Sequence, residues 1–63
     1  MPKYPNLAAQ MAIHELSDEK AGALIGLSRQ SFRSKRLSGR FLVSECKVLC
    51  EYFKMSFDEL FKE

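Results

Sequence analysis

No proline follows Pro5, and from that point serine and glycine cut the chain into short stretches with helical spacing of apolar residues. A chain free of proline can be helical throughout, while Ser17, Ser28 and Ser56 offer N-cap oxygens and Gly26 and Gly39 offer stops. None of the resulting segments is long enough to be stable alone, so they must pack against one another. The chain has 63 residues, two cysteines and one histidine, so disulfide or metal staples do not replace the core. Its 46% apolar content therefore has to fill that core efficiently, as short helices in one domain spanning residues 1–63.

The spacing predicts five helices and no strands, repeats or low-complexity segments. A first helix over 7–14 has Asn6 as its cap and Leu7, Ala8, Met11 and Ala12 on one side. A second over 18–25 follows Ser17, with Asp18 and Glu19 in the first turn where the helix dipole favours negative charge. Gly26 ends it, and Ser28 caps a third helix over 29–36 only two residues later. So short a connection forces a steep crossing, which the small side chains of Ala21, Gly22 and Ala23 accommodate while Ile25, Leu27 and Phe32 fill the angle. After Gly39 and a loop through Arg40, Phe41 and Leu42 comes a fourth helix, with Val43, Cys46, Leu49, Cys50 and Phe53 at spacings of three and four. Ser56 and Glu59 have the spacing of a capping box for a fifth, which carries Phe57, Leu60 and Phe61.

The formal charge of +2 is a cancellation. Residues 20–44 hold Lys20, Arg29, Arg33, Lys35, Arg36 and Arg40 without a carboxylate, whereas the remainder holds four lysines against eight carboxylates, giving +6 and −4. Such a cluster is what a polyanion binder needs, although a solvated charged face has the same composition. The longest apolar run, around residues 23–27, contains a glycine and is far too short to span a bilayer. The N-terminus has no apolar stretch of signal-peptide length, so the chain is expected in the cytoplasm.

Three blocks carry a resemblance. Tyr4-Pro5-Asn6-Leu7, Gly26-Leu27-Ser28-Arg29-Gln30-Ser31-Phe32 and Met55-Ser56-Phe57-Asp58-Glu59-Leu60-Phe61 resemble, in that order, the opening, the turn with its recognition helix, and the closing helix of Cro and phage-repressor helix-turn-helix proteins. The resemblance implies an all-α, lambda-repressor-like domain with the motif over residues 17–37 and the third helix in the major groove of double-stranded DNA. It places Arg29 and Gln30, then Arg33 and Ser34 one turn on, at the bases; arginine suits guanine and glutamine suits adenine. Ser28 and Ser31 would donate to phosphates or bases, and Lys35, Arg36 and Arg40 would contact phosphates. A weak homodimer, assisted by DNA and formed through Phe53, Met55, Phe57, Leu60 and Phe61, is also implied; alternatively all five close the monomer core.

Three residues depart from the family pattern. Asp18 stands where relatives carry a glutamine that touches phosphate, and a carboxylate there would repel DNA. Leu37 comes late, leaving Lys35 and Arg36 at positions usually aliphatic, so the third helix is expected to end irregularly. Leu42 leaves the fourth helix without a side-chain cap. A sequence-specific transcriptional regulator acting on a two-fold operator is the leading expectation. The other is a protein-interaction module of the same fold, which Asp18 and the irregular helix end favour.

No nucleophile, base or ligand set suggests an enzyme, metal, cofactor or small-molecule site. His14 lies beside Glu15 but cannot face it on a helix, and is expected at a surface or helix end. Cys46 and Cys50, four apart on a helix, are too widely separated for a mutual disulfide and lack companion ligands. They read as small core residues, like Met11 and Met55.

Overall fold

Helix formation begins before the first side-chain acceptor. In the computed structural model, which describes residues 3–63, α1 spans Pro5–Ile13, with proline in the first turn where its missing N–H is not needed. Tyr4 is the N-cap residue and provides no side-chain cap. Asn6, expected to cap this helix, lies inside it, and its Nδ2 instead donates to the Glu59 carbonyl at 2.7 Å. The remaining helices are α2 (Asp18–Leu24), α3 (Arg29–Ser38), α4 (Val43–Phe53) and α5 (Phe57–Leu60), with no strand among the described residues.

The three serine caps form as their positions imply. Ser17, Ser28 and Ser56 each accept a hydrogen bond at 3.2 Å from the backbone N–H three residues on. Leu42 has no acceptor for α4, but the opposite half of a capping box is present: the Glu45 carboxylate accepts from the Leu42 N–H at 2.9 Å. The start of α4 is thus tied through its third residue.

Gly26 and Gly39 turn the chain with φ of 72° and 79°. In each case the next N–H reaches back to the helix, Leu27 to the Gly22 carbonyl at 2.8 Å and Arg40 to the Lys35 carbonyl at 3.3 Å. Two other reversals use residues with side chains. Glu15 (φ 52°) and Lys54 (φ 55°) are left-handed, and Leu16 and Met55 donate to the carbonyls of Met11 and Cys50 at 2.7 and 3.1 Å.

The core draws on every helix: Leu7, Met11, Ala21, Phe32, Cys46, Leu49, Phe53, Leu60 and Phe61. Tyr4 and Phe41, one before the first helix and one in the loop after α3, complete an aromatic cluster. Tyr4 meets Phe61 edge-on at 5.2 Å, and Phe41 lies 5.5 Å from Phe32 and 5.6 Å from Phe61. The Tyr4 hydroxyl donates to the Gly39 carbonyl at 3.2 Å, and Lys3 pairs with Glu63. The N-terminal segment therefore straps the end of α3 to α5.

Candidate nucleic-acid interface

Gly22 sets the approach of α2 and α3. A Cβ there would lie 2.7 Å from the Leu27 carbonyl oxygen, 3.1 Å from that of Ser28 and 3.2 Å from the Phe32 Cβ. The backbones consequently meet with nothing between them. Ala21 is fully buried, whereas Ala23, expected in the same contact, is exposed.

Burial of Phe32 fixes the rotation of α3 about its axis. At 100° per residue, Gln30 and Ser34 then lie on the opposite side, about 160° from Phe32, with Arg33 about 100° and Arg29 about 60° round from it on one flank, and all four are exposed. The structure thus brings the four expected base-reading residues to one face. Arg29, Gln30 and Arg33 also border, with Ser17 and Asp18, a polar cleft of about 510 Å³ at the start of α2. Leu37 shares this outward face and is 52% exposed, a placement the sequence did not signal because an apolar residue at helical spacing reads as core.

Ser28 and Ser31 have unequal freedom. Ser28 Oγ accepts from the Ser31 N–H and donates to Ser31 Oγ at 3.1 Å, so its proton serves the helix start. Ser31, also exposed, keeps its own hydroxyl proton for a ligand.

Lys35 and Arg36 are held by carboxylates. Arg36 Nε and Nη2 donate to the two Asp18 oxygens at 3.1 and 3.3 Å, with both side chains less than a fifth exposed. Lys35 Nζ lies 2.9 Å from both Glu45 oxygens. These pairs join α3 to the starts of α2 and α4. They also explain why α3 continues regularly to Ser38 and ends at Gly39, contrary to the expected irregular end: the cations of Lys35 and Arg36 meet carboxylates there. Asp18, expected to repel DNA, has its charge matched by Arg36.

Burial by itself would raise the Glu45 pKa, but the Leu42 N–H and the Lys35 ammonium outweigh it and hold the carboxyl below its ordinary value. Burial pushes the Cys46 and Cys50 thiols up, keeping them protonated and unreactive. Lys20, Arg29, Arg33 and Arg40 are exposed and have no ion-pair partner among the described residues. The exposed positive charge of the 20–44 stretch therefore resides on these four.

Three of the five residues expected at a dimer contact are in the monomer core: Phe53 and Phe61 are nearly buried and Leu60 is completely so. Packed into the monomer core, they have little surface left for a second chain. Met55 is half-buried against that core, and only Phe57 is largely exposed. His14 is an exposed residue at the end of α1, with its ring 5.2 Å from that of Phe53.

Among the described residues, no three His, Cys, Asp or Glu side chains are grouped to hold a metal ion, and no helix is long and apolar enough to cross a membrane. No protein-family model matches the chain, and neither a curated protein nor a solved structure does so.

Proposed function

We propose that the chain is a sequence-specific DNA-binding transcriptional regulator of the phage or prokaryotic Cro-repressor type, with α3 lying in the major groove. The observation that carries this reading is the exposed face of Arg29, Gln30, Arg33 and Ser34 on a helix locked against α2 at Gly22. Arg29 donates to guanine, and Gln30 exchanges two hydrogen bonds with adenine. Arg40 and the Ser31 hydroxyl contact phosphates and position the domain without reading sequence. Lys35 and Arg36 act chiefly as braces, since moving either to a phosphate would strand Glu45 or Asp18. The protein-interaction reading drew on Asp18 and an irregular α3; with Asp18 paired and α3 regular, neither supports it.

Selection of bound sequences from random duplex DNA tests the reading. The expected product is a two-fold motif with half-sites about 34 Å apart, bound with an affinity that falls by roughly 0.9 log units per phosphate contact for each log unit of salt. Arg29→Ala and Gln30→Ala should each cost about 1–3 kcal/mol on the selected site and relax base preference there, whereas Arg40→Ala weakens all sequences alike. Failure to enrich any motif, or unchanged selectivity in both α3 variants, would count against it.

A further inference from the structure

Three sulfur-bearing side chains line one concavity of about 480 Å³ between α4 and α5, which shares no residue with the cleft beside α3. Cys46 and Cys50 stand one turn apart on the same side of α4, which sets their Cβ atoms about 5–6 Å from each other. The third is Met55, which helical spacing does not group with them. Left-handed Lys54 reverses the chain and the Met55 N–H returns to the Cys50 carbonyl at 3.1 Å, so the thioether joins the two thiols in one groove. A residue that only fills the core faces inward, as the fully buried Leu49 does. Cys50 and Met55 are instead half-buried in the wall of a groove that solvent reaches.

We infer that Cys46, Cys50 and Met55 form a binding site for one monovalent copper ion, held by two thiolates and a thioether. The donor set selects the ion: thiolate and thioether sulfur favour soft Cu(I), whereas zinc takes a fuller set of Cys, His or carboxylate ligands. Among the described residues no third His, Cys, Asp or Glu completes such a set. Ser56, also on the groove wall, is already engaged, its hydroxyl accepting from the Glu59 N–H at 3.2 Å and donating to the Glu59 carboxylate at 3.1 Å. The cysteine spacing, too wide for a disulfide, suits a shared ion, because each sulfur need approach the metal only to about 2.3 Å. Coordination releases the two thiol protons to solvent and adds one positive charge, taking the site from neutral to one net negative charge. Of the two charged residues on the wall, Glu51 attracts the incoming cation and Lys47 offsets the charge of the loaded site. Val43 and Phe57, both largely exposed, supply apolar walls that limit the access of water to the ion. The inference stands apart from the DNA-binding reading, since no residue of the groove is placed on DNA.

Cu(I), titrated anaerobically into the reduced intact chain against the chelator bicinchoninate, tests the site. One copper per chain should be withheld from the chelator, with three sulfur neighbours in its X-ray absorption spectrum. The melting temperature should rise, because the ion binds the folded arrangement. Cys50→Ser, at a partly exposed position, should melt as the wild type does without copper and lose affinity by about a hundredfold or more. Met55→Leu, which keeps the side-chain volume, should lose about tenfold. Copper surrendered wholly to the chelator, or one ion shared by two chains, overturns the inference. So does a melting temperature unmoved or lowered by copper, which would put the ion on thiols of the unfolded chain, and so does an unaffected C50S or M55L.

Discussion

A hydrogen in place of a methyl at Gly22 lets the carbonyl oxygens of Leu27 and Ser28 sit against α2. Alanine is the better helix former by about 1 kcal/mol, and on an isolated helix Gly22→Ala would stabilise. Here the new methyl meets backbone that cannot rotate away, at an overpacking cost of about 1–3 kcal/mol. We expect a net loss of up to about 2 kcal/mol in urea unfolding, together with weaker DNA binding as α3 shifts on α2; a gain in stability would show that the two helices part freely. The small-residue segment was legible in the sequence, but which of its members makes the contact was not, because Ala21 and Ala23 differ only in the direction each faces.

Glu45 shows the same limit for charge. Its carboxyl titrates below the ordinary carboxylate value of 4.5, so its stabilising contribution is complete above that value and is lost as the pH falls through the lower folded-state value. Wild-type stability should therefore drop more steeply than that of Glu45→Gln between about pH 5 and pH 3, the two curves converging as the carboxylate is protonated. Parallel curves in thermal melts across that range would remove the Lys35–Glu45 pair from the account. Glutamine keeps an acceptor for the Leu42 N–H, so the comparison isolates the charge.

At the scale of the helix, starts were easier to read than ends. Ser17, Ser28 and Ser56 are caps because a hydroxyl on a short stem reaches the N–H three residues on, wherever the segment lies in the fold. Gly26 and Gly39 stop helices because only glycine takes positive φ without cost. Glu15 and Lys54 perform the same turn against that preference, and no residue type announces it. Their conformation is imposed by Leu16 and Met55, which must turn back to reach the core. Replacing Lys54 by glycine should relieve the left-handed strain and raise stability by about 0.5–1 kcal/mol in chemical unfolding, the unfolded chain's added freedom taking back part of the gain. A loss of stability would mean that the Lys54 side chain contributes more than its backbone costs.

Over the whole molecule, long-range hydrogen bonds tie the N-terminal segment both to the middle of the chain and to its far end. Asn6 reaches Glu59 and Tyr4 reaches Gly39, while the aromatic rings of Tyr4, Phe32, Phe41 and Phe61 meet in tilted and edge-to-face pairs. The resulting body measures 24 × 23 × 23 Å between its backbone extremes.

By itself the sequence determined the helical class, the five segments in order, the serine caps and the glycine stops. These follow from interactions within three or four residues, where spacing and side-chain chemistry suffice. Only the tertiary structure decided which cations are free, which phenylalanines are hidden and where an apolar groove remains. Arg36 finds Asp18 across 18 positions and Lys35 finds Glu45 across 10, so the charge of a stretch cannot disclose the charge of a surface. Phe53 and Phe61 are buried while Phe57 is exposed for a similar reason: spacing gives a helix its faces, and only the packing of the other helices chooses which face is covered.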